Sequence, residues 1–216
     1  MTREATLRVS EIFFSLQGES TRVGLPTTFV RLTGCPLRCV WCDTEYAFTG
    51  GELVTLPEVL VRVADYGCPT VCVTGGEPLA QKQCLDLLTA LCDAGYSVSL
   101  ETSGALDIAG VDARVARIMD LKAPDSGERD KNLWSNIDLL TPNDEVKFVL
   151  ASNTDYEWAK RMLAQHRLAE LCTVLFSPVA DRLAPVDLAE WILRDRLPVR
   201  FQLQLHKLLW GSERSR

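Results

Sequence analysis

The chain has 216 residues, 47 % of them hydrophobic and 24 % charged, with 29 acidic against 23 basic side chains and a net charge of −6. That length suits a single domain over 1–216 with a sizeable core, and the acidic balance argues against a broad nucleic-acid surface. No stretch reaches the apolar length of a membrane helix, residues 1–6 lack the apolar core of a secretory signal, and eight cysteines without such a route point to a reducing compartment, the cytoplasm.

Strands are predicted over 7–16 and 27–32 from their β-branched and aromatic content. A helix follows over 56–66, with Pro57 in its first turn. Residues 70–74 read as a buried strand ending at Gly75-Gly76, and 79–94 as a helix closed by Gly95. The next strands are 97–100, ending near Glu101, and 117–121, ending at Lys122. Strand 145–150, helix 155–166 and strand 173–176 continue the series to Ser177. Helix 187–195 and a last strand over 199–205, ending at His206, complete it. Strands alternating with helices mean parallel βα units. About six repeats are too few for a closed eightfold barrel, so the expected fold is α/β, a partial (open) TIM-like barrel. An N-terminal strand and loop region spans about 7–50 and a βα core about 55–207. The polar end 211–216 is expected to be disordered.

Three cysteines carry the strongest chemical signal. Cys35, Cys39 and Cys42 fall within CPLRCVWC. Soft thiolates on one short loop suit an iron–sulfur cluster. Three is one fewer than a cubane needs, which leaves one iron open to a small molecule. A structural zinc site recruits a fourth Cys or His; the nearest histidine is His166, on a predicted helix end, and no second C-x-x-C pair occurs. Cys68, Cys72, Cys84, Cys92 and Cys172 lie on apolar stretches at no ligand spacing and read as small buried hydrophobes.

Polar groups gather at the ends of the predicted strands: Gly75-Gly76-Glu77, Glu101, Lys122, Ser177 and His206. In parallel βα folds that edge carries the chemistry. Glycines there let backbone approach a ligand closely. Alternation puts Asp120 and Lys122 on one face of an extended segment.

The C-x-x-x-C-x-aromatic-C loop, with Trp41 at the aromatic position, resembles the radical S-adenosylmethionine (radical SAM) enzymes. The resemblance implies a [4Fe–4S] cluster on Cys35, Cys39 and Cys42 whose open iron chelates S-adenosylmethionine. Electron transfer from the cluster then yields a 5′-deoxyadenosyl radical. It also implies cofactor contacts at Trp41, Asp43, Gly75, Gly76, Glu77, Glu101, Ser103, Asp120, Lys122 and Ser177. In this reading the Glu77 carboxylate receives the methionine ammonium and Lys122 the methionine carboxylate.

A closer likeness covers the N-terminal part. FSLQGE (14–19), GLP (24–26), FVRL (29–32), Gly34-Cys35 and WCDT (41–44) are similar to the 7-carboxy-7-deazaguanine synthase (QueE) family. Ser20 stands where that family more often has glycine. The resemblance implies conversion of 6-carboxy-5,6,7,8-tetrahydropterin to 7-carboxy-7-deazaguanine with loss of ammonia, on the way to queuosine. It implies substrate contacts at Leu16, Gln17, Gly18, Glu19, Arg31, Thr74 and His206, and a Mg²⁺ ion on Thr44. A reductase such as flavodoxin or ferredoxin and a homodimer are the implied partners, with no nucleic acid and no membrane. Two competing expectations share parts of the pattern. A glycyl-radical activase would use the same cysteine loop on a protein substrate, and a zinc-stabilised binding module would need an unrecognised fourth ligand.

Overall fold

The computed structural model describes residues 5–211 and 213–215. Its nine strands form one sheet: β1 (Thr6–Leu16), β2 (Pro26–Leu32), β3 (Glu52–Thr55), β4 (Thr70–Gly75), β5 (Ser97–Thr102), β6 (Ala116–Asp120), β7 (Glu145–Leu150), β8 (Thr173–Pro178) and β9 (Arg200–Phe201). The spatial order is β3-β1-β2-β4-β5-β6-β7-β8-β9. From β2 through β9 every pairing is parallel, whereas β1 runs antiparallel to both β2 and β3. This is the open, parallel-dominated α/β sheet expected, with an antiparallel N-terminal edge that the βα reading did not contain.

Local chemistry explains the helices that form. In α1 (Leu56–Ala64) the Thr55 hydroxyl accepts from Glu58 N, Pro57 sits in the first turn, and Glu58 pairs with Arg62 at 2.6 Å one turn on. Ser152 caps α3 (Asn153–Gln165) in the same manner. Pro185 starts α5 (Pro185–Asp195), and Arg196 ends it in the left-handed region. The expected helix over 79–94 is shorter. Pro78–Ala80 form a 3-10 turn, Gln81 spends its amide on Arg8 and Thr33 backbone, and α2 covers only Cys84–Asp93. A one-turn α4 (Leu168–Leu171) precedes β8. The crossovers β5→β6 and β6→β7 contain no α-helix, only loops and 3-10 turns, so the strict alternation of strand and helix lapses there.

One apolar core lies between the sheet and these helices, centred on Val73, Leu88, Leu100, Phe148, Tyr156 and Phe176, all 0 % exposed. On β7, Val146, Phe148 and Leu150 point into it, so Lys147 and Val149 face the other way, into the hollow of the sheet. Cys68, Cys72, Cys84 and Cys172 are buried free thiols, and Cys92 is half-buried. No helix among the described residues is long and apolar enough to cross a membrane.

Two C-terminal expectations are corrected. The strand over 199–205 survives only as Arg200–Phe201: Gln202 N makes the last ladder bond, to Phe176 O at 2.9 Å, and the Gln202 and Gln204 side chains bond to the β1–β2 tip. His206 therefore sits on α6 (Leu205–Trp210), not at a strand end. In the described part of the polar end, Arg214 lies over the Tyr46 ring at 4.2 Å and Ser215 Oγ donates to Glu11 at 2.8 Å. Ser212 and Arg216 lie outside the described residues.

Candidate active site

The concave face of the sheet encloses a cavity of about 1120 Å³, lined from β2, β4, β5, β6, β7 and α6 and from the loop 34–47. That loop is held at both ends and in its middle. Gly34 N donates to Ala47 O, Glu77 N to Gly34 O, Val40 N to Ser126 O, and Arg38 N to Glu128 Oε1. Gly76 must be glycine for this seam, since a Cβ there would lie 2.4 Å from Gly34 O and 2.8 Å from Cys35 Cβ.

Cys35, Cys39 and Cys42 are free, half-exposed and on the cavity wall. Burial pushes all three thiols up, against a lowering influence from the Lys122 ammonium. Bound iron reverses that balance by taking the thiolates. Among the described residues no three His, Cys, Asp or Glu side chains converge tightly enough to hold a single ion, whereas a cluster spreads its ligands around a larger body. The donor set therefore fits an iron–sulfur cluster: three thiols, no fourth, and a cavity beside them.

Facing the cysteines, Asp120 and Lys122 pair at 3.1 Å and both line the cavity. Trp41, Asp43, Gly75, Gly76, Glu101 and Ser103 line it as well. Glu77 does not. Its carboxylate is fully buried and accepts hydrogen bonds from Leu79 N (3.0 Å), Thr102 Oγ1 (3.0 Å), Ser103 N (2.6 Å) and Ser103 Oγ. In this structure its oxygens tie the end of β4 to the end of β5, off the cavity lining where the ammonium contact was expected. Ser177 also lies off the cavity lining, its hydroxyl buried with no partner among the described residues.

The expected substrate set arrives from an unexpected direction. Because β1 is antiparallel, Leu16 ends opposite Pro26, at the amino edge of the parallel strands and not at their carboxyl edge. The tip 17–25 then folds across the hollow of the sheet. Thr21 N donates to Glu145, at the start of β7, and Ser20 exchanges backbone hydrogen bonds with the Gln202 amide. Ser20 takes a left-handed φ of 67°, which explains why glycine suits the position. From this tip Gln17 Nε2 reaches Glu101 Oε1 at 3.3 Å, while Thr74 Oγ1 donates to Glu101 Oε2 at 2.8 Å. Glu101 thus joins two residues of the substrate set, although it was expected among the cofactor contacts. Gln17 is buried, and neither it nor Leu16 nor Gly18 lines the cavity.

Glu19 and Arg31 do line it. Arg31 spends Nε on Glu11 at 2.7 Å, and among the described residues its Nη atoms donate no hydrogen bond. Burial opposes its charge, but Tyr46 and Glu11 outweigh that and hold the guanidinium protonated. Thr44 donates to Asp43 Oδ1 at 2.8 Å, and Asp43 pairs with Lys207 at 2.9 Å. Burial would raise the Asp43 carboxyl; Lys207 holds it well below its ordinary value. Through that pair α6 is tied to the cysteine loop, and through Leu205 N on Gly18 O it is tied to the β1–β2 tip. His206 packs so closely on the tip that a Cβ at Gly18 would lie 2.2 Å from its Nδ1.

Lys147 was not foreseen. Its ammonium pairs with Glu19 and lies 3.7 Å from Asp120. The available signal was a charge, Lys147, set inside the otherwise apolar run VKFVL of β7.

The radical SAM superfamily matches residues 29–176, which contain all three cysteines and the Gly75-Gly76 turn. A 7-carboxy-7-deazaguanine synthase from Chlorobaculum tepidum is 49 % identical over 99 % of this chain and 98 % of its own length. The chain belongs to the 7-carboxy-7-deazaguanine synthase family. A synthase of the same name from Koribacter versatilis is 42 % identical over 96 % of this chain and 98 % of its own. The crystal structure of QueE from Escherichia coli shares the fold with a TM-score of 0.77 and 23 % identity, covering 93 % of this chain and 95 % of that one. Membership in this family favours neither the activase nor the zinc-module expectation. A radical SAM enzyme of this family uses a [4Fe–4S] cluster and S-adenosylmethionine.

Proposed function

We propose that this chain is a carbon–nitrogen lyase that converts 6-carboxy-5,6,7,8-tetrahydropterin to 7-carboxy-7-deazaguanine with release of ammonia. The observation that carries this reading is a single cavity that presents the three cysteines on one wall and Glu19, Arg31 and Thr74 on the others. The bound cluster and S-adenosylmethionine supply the hydrogen-abstracting radical, which no side chain here can generate.

The chain's own residues supply placement. Glu19, held from both sides by Lys147 and Gln204 (2.6 Å), accepts from the amino and amide edge of the pterin. Arg31 turns its free Nη edge to the substrate carboxylate. Thr74, fixed by Glu101, and His206, seated on Gly18, border the same space. Asp120 and Lys122 hold the methionine part beside the cysteines. Thr44 is the proposed Mg²⁺ ligand. Its hydroxyl lies on the cavity wall beside the Asp43 carboxylate, an oxygen-rich corner that suits a hard cation with few protein ligands. A flavodoxin- or ferredoxin-type reductant, a homodimeric state and a cytoplasmic location complete the proposal. Eight free cysteines support a reducing compartment.

The test is anaerobic reconstitution, iron and sulfide analysis, and turnover with the pterin, S-adenosylmethionine and a chemical reductant. Formation of the deazapurine with one ammonia per product is the expected result. A cluster-loaded protein that cleaves S-adenosylmethionine yet yields no deazapurine would overturn the substrate assignment.

A further inference from the structure

The floor and the roof of the cavity are joined by one chain of alternating charges: Glu19, Lys147, Asp120 and Lys122. Its centre is Lys147. The side chain is only 12 % exposed, projects inward from β7, and has carboxylates on both sides. An unpaired ammonium at such a site would be strongly disfavoured, and so would an unpaired Glu19 carboxylate, equally 12 % exposed. Glu19 is faced by Lys147 from β7, Gln204 from the segment before α6 and His206 from α6, while Gln17 Oε1 accepts from its own N–H at 3.1 Å. Asp120 and Glu101 stand behind Lys147. With Gln204 on one oxygen and Lys147 on the other, the carboxylate has its plane fixed and is an acceptor only.

We propose that Lys147 is a positioning and specificity residue, which locks Glu19 as an oriented, ionised acceptor so that the floor selects substrates presenting two adjacent N–H donors, as a 2-amino-4-oxo ring edge does. This rests on Glu19 being a substrate contact. The charge balance agrees with the geometry. Burial would raise the Glu19 carboxyl, yet Lys147, Gln204 and His206 hold it below its ordinary value; burial would lower the Lys147 ammonium, yet Glu19, Asp120 and Glu101 hold it above. Once Lys147 is neutral, Glu19 can take up a proton and become a donor facing donors. An analogue with oxygen in place of the 2-amino group is then less strongly rejected.

The experiment compares Lys147→Gln, Lys147→Arg, Glu19→Gln and the Lys147→Gln/Glu19→Gln double variant of the cluster-loaded enzyme. Steady-state kinetics are read beside direct anaerobic binding of fluorescent 6-carboxypterin, its 2-oxo analogue and S-adenosylmethionine. Loss of one oriented charged hydrogen bond predicts a pterin KM and Kd raised about tenfold or more in Lys147→Gln, with kcat and the S-adenosylmethionine Kd within about threefold. Preference for the 2-amino over the 2-oxo ring shrinks, KM acquires an acid limb in its pH profile, Lys147→Arg regains part of the affinity, and the double variant binds no worse than Glu19→Gln. Unchanged pterin binding in Lys147→Gln beside weakened binding in Glu19→Gln overturns the role of Lys147 alone. Unchanged pterin binding in Glu19→Gln overturns the substrate reading beneath it. Equal loss of pterin and S-adenosylmethionine binding in both Lys147 variants, with a lowered melting point, marks a purely structural lysine and also overturns the proposal.

Discussion

Replacing Glu77 with alanine separates two roles for the carboxylate of the Gly75-Gly76-Glu77-Pro78 turn. The side chain is fully buried and receives two backbone N–H groups, from Leu79 at 3.0 Å and Ser103 at 2.6 Å, together with the Thr102 and Ser103 hydroxyls. The hydroxyls can rotate to new partners, whereas the two amides are left buried and unsatisfied. At about 1–3 kcal/mol each, the loss sums to about 4 kcal/mol. For a chain of this length each kcal/mol moves the melting point by about 2–4 °C, so Glu77→Ala should melt about 8–16 °C below wild type. Glu77→Gln keeps the shape but sets an amide NH2 against some of the same donors, and should fall between the two. The assay is thermal unfolding by circular dichroism on anaerobic protein, paired with S-adenosylmethionine binding. If the carboxylate instead grips the ligand's ammonium, binding disappears while the melting point stays within about 2 °C of wild type, and that result refutes the tie between β4 and β5.

Cys39→Ala should lose the brown absorbance and most of the ~4 iron per chain expected of a cubane, while Cys92→Ala, away from the cavity, should retain both; iron and sulfide analysis decides. Glu11 and Glu19 both have carboxyl values that burial would raise but that their partners, Arg31 for Glu11 and Lys147 for Glu19, hold below the ordinary 4.5. Their stabilisation is therefore fully present above 4.5 and is lost as pH falls through the depressed folded-state values. Urea unfolding should show the wild-type advantage over Glu11→Gln constant at neutral pH and shrinking in acid; an advantage that grows in acid would contradict the sign. Gly18→Ala drives a Cβ to 2.2 Å from His206 Nδ1. Such overpacking should remove about 1–3 kcal/mol of stability and raise the pterin KM by displacing α6, as thermal melts and kinetics would show.

The cysteine loop was legible because its chemistry lies in local spacing, and β7 because a β-branched apolar run allows little else. The direction of β1 was not: alternation announces a strand but not its sense, and the long tip 17–25 carries no tight-turn signature. The same gap hid the amino-edge position of Gln17 and Glu19, although their residue types had marked them as site candidates. The burial of Glu77 was not legible because its partners Thr102 and Ser103 lie at the end of another strand, and no local pattern reveals what stands across from a turn. The segment 199–205 alternates like a strand, yet the amides of Gln202 and Gln204 find better acceptors on the β1–β2 tip, and tertiary bonding overrides the pattern.

A ladder that stops after Arg200–Phe201 also bears on how the chain behaves among its own copies. Unpaired strand edges are templates for fibrous association, and their hazard grows with length. Here the rim beyond β8 offers an intruding strand only two residues to grip. At the opposite rim β3 offers only Glu52–Thr55, with Glu52 carrying charge at its start. The chain is thereby spared a long sticky border beyond β8, through the same early turn that sends Gln204 inward.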